Sequence, residues 1–351
     1  MGEGTIGRDR GVVLPVRVDP SGEAGPKKRA AAGPDWRVSS RGLYVPASVD
    51  LTPTQRVGEA GVLVPAHGAI TGWAALAWLG GWWFDGLESD GVTAAPVPIA
   101  MSRRLIRSQA GLLLCNERWD RREVMRVDGL RLTTPARSVA FAMRYARNPW
   151  AAVAVLDMAA YHDLVSIEEV GAWIDGHPSY TGIEQSRRGR NLADENAWSP
   201  QEAFLRLTWT GAGLPTPLTN RPMFDLRGRH IGTPDLVDPR TGVTGEYEGP
   251  LHLGGGRRAD DLDREHRFRI HGAEPVTMVK GDRPHPDAFL QRLRTAFQEA
   301  ERRPVSERRW TLELPPWWVP TFTVEQRRAL TPDQRETWLR HRHLPPPADS
   351  R

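Results

Sequence analysis

The chain has 351 residues, 39% of them hydrophobic and 26% charged, enough apolar material for two ordinary domains with cores of their own. Its 30 prolines and 34 glycines imply short elements joined by much loop, and its single cysteine, Cys115, excludes a disulfide framework and a cysteine-rich zinc site. The formal charge of +4 favours a polyanionic partner without demanding one, since any soluble arginine-rich protein would share it.

The opening residues MGEGTIGRDRGVV lack the apolar core of a secretion signal. The most apolar stretch, AITGWAALAWLGGWWF at 69–84, is too short and too broken by glycine to span a bilayer. Both point to a cytoplasmic protein without membrane contact. Residues 1–33 are polar and rich in Pro and Gly, and are expected to be loose. WRVSSRGLYVPAS (36–48) reads as a short strand entering a turn, and apolar residues at 70, 73, 74 and 77 predict a buried helix over 69–80. In VDGLRLTTPARSVAFAMRYA (127–146) a strand leads to a helix started by Thr133 or Thr134, with Pro135 at its first position. Two more helices fit at about 150–163 and 166–175, the second capped by Ser166 with Glu169 three residues on. The charged, glycine-interrupted RRGRNLADENAW (187–198) reads as a linker that closes a mostly helical α+β N-terminal domain over 34–186.

Beyond it, SPQEAFLRLTWTGAG (199–213) has a serine cap, a proline at the first helical position and a glycine stop. PMFDL and HIGTPDLVD flank an Arg-Gly turn and read as strands, and VTGEYEG follows DPRTG. RADDLDREHRFRIHG (258–272) reads as a helix ending at Gly272, EPVTMVK (274–280) as a strand and PDAFLQRLRTAFQEA (286–300) as an amphipathic helix. Residues 199–303 therefore predict an α/β domain with a mixed sheet, and the proline-rich 304–351 a peripheral tail.

The residues of chemical interest lie in GTPDLVDPRTGVTGEYEGPLHLGGG (232–256). If strands 231–238 and 243–248 pair about the DPRTG turn, paired positions sum to about 481, so Asp235 faces Glu246. Glu248 joins them by the strand period of two, and Tyr247 points to the other side. Carboxylates gathered on one face repel: a like-charge pair at about 5 Å and an effective dielectric of about 20 costs on the order of 3 kcal/mol. A hard divalent cation reverses that sign, and Mg²⁺ characteristically takes one or two carboxylates together with phosphate oxygens. The bland alternative is a solvated acidic hairpin face. Glu202 offers a further carboxylate, although Ser199 to Glu202 is itself a capping box that accounts for it. His252 suits a general base. Arg264 and Arg267, with Arg257 and Arg258 beside the triglycine, suit phosphate contacts or simply an exposed charged helix face.

The predicted element order, with Asp235 on the second strand and Glu246, Glu248 and His252 on and after the third, resembles the PD-(D/E)XK nuclease superfamily. Within it the chain resembles the very-short-patch-repair (Vsr)-like endonucleases: SPQEAFLR, GLPTP, DLVDP, EYEGPLH, DLDR and HGAEPVTMV follow in their order over about 195–300. The resemblance implies a restriction-endonuclease-like αβββαβ domain that hydrolyses DNA phosphodiester bonds with Mg²⁺ or Mn²⁺. Asp235 and Glu246 would be metal ligands, Glu248 would share the ion or its water, and Glu202 would be a supporting acid. His252 would relay a proton. Glu248 stands where the superfamily carries a lysine, which leaves acid/base work to the metal or to His252. RGLYVP, ITGWAALAWLGG and GLRLTTPARSVAFA resemble the abortive-infection type IV antitoxin (AbiEi-like) proteins beyond their winged helix. That likeness implies a phage-defence or toxin–antitoxin setting, with a cognate toxin or defence-system protein as partner. A non-catalytic antitoxin-like regulator, keeping the nuclease fold as a nucleic-acid platform, is the alternative these residues leave open.

Overall fold

The computed structural model describes residues 6–7, 10–103, 105–118, 120–248 and 255–342, with the backbone alone for 255–262. The described residues form a mixed α/β protein with eleven α-helices and four sheets. No helix among them is long and apolar enough to cross a membrane. The chain divides into two units, Met1–Tyr145 with Ala172–Thr181, and Ala146–Gly171 with Gly182–Arg351.

The first unit opens with a hairpin of β1 (Trp36–Ser40) and β2 (Leu43–Pro46), followed by α1 (Pro53–Gly61), whose Thr52 side chain caps the N–H of Gln55. Then come β3 (Gly68–Ile70), α2 (Gly72–Trp78), β4 (Val97–Met101), β5 (Leu112–Asn116), β6 (Val124–Val127), β7 (Leu130–Thr133) and α3 (Pro135–Arg144). The strands form a five-stranded mixed sheet in the order β5-β4-β3-β7-β6, over which Val57, Ala74, Trp78, Ile99 and Leu132 build the core. The helix expected over 69–80 gives up its first residues to β3, which lies at the centre of that sheet, buried at every position. The segment expected to be loose is docked from residue 10 onward. Val16 bridges to Tyr44, and the Gln55 side chain accepts from the Val13 N–H at 3.0 Å and donates to its carbonyl at 2.7 Å. Those paired backbone groups hold a segment whose composition alone would leave it free.

The second unit carries α4 (Pro149–Tyr161), the first turn of α5 (Ile167–Gly176), α6 (Ile183–Leu192) and α7 (Pro200–Gly211). Ser166 and Glu169 form the expected reciprocal cap on α5, and Ser199 caps α7. The stretch expected as a linker is instead α6 and a buried turn. Asn196 is 3% exposed and donates to the Thr219 carbonyl at 2.7 Å, while α4 packs on α6 and α7. Next come β8 (Leu218–Thr219), β9 (Met223–Asp225), β10 (His230–Gly232), β11 (Leu236–Val237), β12 (Val243–Glu248), α8 (Gly255–Ile270), β13 (Glu274–Val279) and α9 (Asp287–Arg302). Finally come β14 (Trp310–Thr311), α10 (Val324–Arg328) and α11 (Pro332–Trp338).

A four-stranded sheet runs β13-β12-β11-β8, and a three-stranded one runs β10-β9-β14. HIGTPDLVD is therefore not one strand. It breaks at Thr233-Pro234 and its halves join different sheets, because a proline gives the ladder no N–H. β12 and β13 are parallel, with α8 as the connection that a parallel pair requires. One face of the larger sheet (Leu236, Val243, Val276, Met278) packs on Leu205 and Trp209 of α7 and Phe289, Leu293 and Phe297 of α9. Residues 304–342 are no peripheral tail: Trp310 is 2% exposed, its strand pairs with β9, and the fully buried Arg327 donates to Asp163 at 2.6 Å.

Candidate functional site

Leu236 pairs with Gly245 and Val237 with Thr244. This is the register that the DPRTG turn predicts, so the next position sets Asp235 opposite Glu246 on one face. The turn itself is built by Asp238, whose Oδ2 accepts from the Thr241 N–H at 2.7 Å and from its hydroxyl at 2.6 Å, and by Gly242 at φ +77. Gly245 lets α7 close on the opposite face, where a Cβ would lie 3.1 Å from the Trp209 ring. Tyr247 joins that same apolar cluster, as the alternation requires.

The carboxyl groups of Glu202, Asp235 and Glu246 lie near enough to feel one another's charge. Glu202, 7% exposed, is held in the first turn of α7. It accepts from the Trp198 N–H at 2.7 Å, the Ser199 hydroxyl at 3.0 Å and Asn220 Nδ2 at 2.6 Å. Burial, and then the charge of Asp235, push its pKa up to about 8 against those hydrogen bonds. Asp235 is half-buried and accepts from the Tyr247 N–H at 2.8 Å. Its pKa is raised by burial, opposed by that hydrogen bond and by Arg264. Glu246, 22% exposed at its side chain, is also pushed up to about 8, by burial first and Asp235 second, with Arg264 opposing and Glu202 adding. That these groups raise one another places them in one electrostatic neighbourhood.

Arg264 of α8 donates to Glu246 Oε2 and, at 3.2 Å, to the Thr233 carbonyl. The other Glu246 oxygen, Oε1, is buried with no hydrogen-bond partner among the described residues. An acceptor left so is costly unless some further group completes it.

Glu248 does not complete a three-carboxylate metal centre. It lies on the predicted face but at the exposed end of β12, about 7 Å farther along the strand than Glu246. Among the described residues no three His, Cys, Asp or Glu side chains gather as a metal site. His252 and the side chains of Arg257 and Arg258 lie outside the described residues. Arg267 gives its Nε–H to the Ile231 carbonyl at 3.3 Å.

Arg264 and Arg267 also line a cleft of about 620 Å³. Its walls include Trp198, Trp318, Trp338 and His341, together with Asn220, which donates to Glu202. Trp198 lies against His341 with ring centroids 4.2 Å apart, and Trp318 against Trp338 at 4.9 Å. His230, on the same wall, has its pKa lowered by burial first and then by the charges of Arg267 and Arg264, against a backbone hydrogen bond at Gly232. Sequence reasoning missed the cleft because Trp318 of PPWWVP, Trp338 of α11 and His341 all come from the stretch read as a peripheral tail. The density of tryptophan there was the available signal. No family model matches the chain, and neither curated proteins nor solved structures give a match.

Proposed function

We propose that the second unit is a metal-dependent DNA endonuclease of the restriction-endonuclease-like kind. The observation that supports this reading is the nearness of Asp235 to Glu246, one step beyond the Leu236–Gly245 pair, with Glu246 Oε1 buried and without a hydrogen-bond partner among the described residues, beside two arginines that line an aromatic cleft. Asp235 and Glu246 fit a hard divalent cation that draws its remaining ligands from phosphate and water, the arrangement Mg²⁺ favours. When bound, such an ion would polarise the phosphate and acidify an attacking water. The chain's own residues do the rest. The Tyr247 N–H fixes the Asp235 carboxylate, and Glu202 pins the start of α7 to Asn220. Arg264 and Arg267 would hold the phosphate, to which an arginine fork is well matched.

One observation favours the second reading, a non-catalytic regulator that binds nucleic acid on the same scaffold. Arg264 already balances Glu246 without a metal. Incubation of supercoiled plasmid with wild type and with Asp235→Asn, in EDTA, Mg²⁺ or Mn²⁺, separates the two. Nicking by wild type with metal, falling at least about 100-fold in the variant, supports the nuclease. Equal nicking by both proteins, or none under any condition with DNA still bound, supports the regulator.

A further inference from the structure

We infer that the cleft beside Glu246 receives one unpaired nucleotide of a nucleic-acid strand, with its base among the tryptophans and its phosphate on Arg264 and Arg267. The inference deepens the nuclease reading and rests on it for the polymer.

Size comes first. A cleft of about 620 Å³ lies within the usual span of small-ligand sites, about 300–1,000 Å³. It therefore admits a single nucleotide and excludes a duplex, whose bases would have to leave the stack to enter. The lining chemistry comes next. Trp198, Trp318 and Trp338 line it, and aromatic side chains suit any base, since every base has a π-face.

Charge is the third element. Arg264 and Arg267 line the cleft together and depress the His230 pKa jointly, so their positive field crosses it. Arg267 forms no ion pair among the described residues and gives one hydrogen bond, to Ile231. An anionic group beside the ring would find its counter-charge there. Finally, the cleft shares residues with the carboxylate site: Arg264 reaches Glu246 and Asn220 reaches Glu202. A nucleotide held by its base would thus present its own phosphate linkage to Asp235 and Glu246.

The test is fluorescence anisotropy with the full chain in EDTA, so that binding is read without cleavage. Three labelled duplexes are compared: fully paired, with a one-nucleotide bulge, and with the same bulge made abasic. The bulged duplex should bind about tenfold tighter than either of the others, the scale of one base stacked on an aromatic side chain. Trp318→Ala and Trp338→Ala should each bring the affinity for the bulged duplex down towards that for its abasic counterpart. Equal binding of the bulged and abasic duplexes by wild type overturns the inference, whether or not the variants fold. A free deoxynucleoside monophosphate that competes at a concentration as low as the strand's own Kd overturns the assignment to a strand and makes this a pocket for free nucleotides. The nuclease reading fails separately. Loss of plasmid cleavage in every metal with the bulge preference intact would remove that reading alone. Cleavage by a protein without the preference would remove only the nucleotide pocket.

Discussion

Replacing Asp235 with Asn, measured in EDTA, should stabilise the protein, and more so as pH rises. The substitution can keep the hydrogen bond from the Tyr247 N–H, so the main change is loss of a charge that adds to burial in raising both Glu202 and Glu246. The sign follows from proton counting. Between the ordinary glutamate value of 4.5 and about 8 the folded chain holds protons that the unfolded chain has released. Stability from these groups is therefore complete below 4.5 and is lost as pH rises through about 8. At pH 5.5 both glutamates are protonated and Asp235 repels little. At pH 8.5 they ionise against it. Facing carboxylates at about 5 Å repel by about 3 kcal/mol at an effective dielectric of about 20. Exposure of 22% at Glu246 and its pairing with Arg264 reduce this, to about 1–2 kcal/mol. For a unit of this size that is a rise in Tm of roughly 3–6 °C at pH 8.5, against under about 2 °C at pH 5.5. Melts of both proteins at both pH values measure the difference. An equal shift at the two pH values, or a loss at pH 8.5, would refute the reasoning.

Divalent metal should act in the same direction. Mg²⁺ at about ten times its Kd should add about 1.4 kcal/mol, or roughly 3–5 °C in Tm, to wild type, and nothing to Glu246→Gln; identical shifts in both would remove Glu246 from the ion. Glu248→Gln should change stability by less than about 0.5 kcal/mol in urea titrations, as exposed substitutions do. Loss of the Mg²⁺ response in that variant would return Glu248 to the site. Arg327→Met should cost about 3–5 kcal/mol, because it strips Asp163 of one of its two arginines and leaves the Thr321 and Ala160 carbonyls without their donor. A cost below about 1 kcal/mol, the scale of an exposed pair, would mean the C-terminal segment is dispensable.

What was legible in the sequence is what neighbouring residues decide. The caps at Ser166 and Ser199 act within one turn of helix. The pairing of Asp235 with Glu246 follows from a five-residue turn whose Asp and Gly enforce its geometry. Features decided by distant residues were not legible. Alternation told which face Glu248 occupies but not that β12 has run out into solvent there. Nothing near Trp310 announces that it will cover Gly242, where a Cβ would stand 2.4 Å from its ring. Arg327 reads as one more surface arginine until Asp163, far off in the chain, is brought beside it. In the first unit β3 and β4 are buried at every position, so they show no alternation to recognise.

The acid at position 248 looks at first like an objection to catalysis, since the resembling superfamily carries a lysine there. A lysine in that place has two tasks, to balance developing negative charge and to orient or deprotonate water. On the proposed reading these tasks are divided. Arg264 brings positive charge to Glu246 from α8 rather than from the strand, which makes a cation at 248 redundant for charge balance. A guanidinium stays protonated throughout the physiological range and therefore does not accept a proton. On the proposed reading that work would fall to the ion, which would acidify a water bound to it. Glu202 is ill placed for it, because both of its oxygens already accept hydrogen bonds that hold the start of α7. Glu246 has one oxygen on Arg264 and, among the described residues, no partner for the other, so on this reading it would offer that second oxygen to the ion and residue 248 would not be needed there.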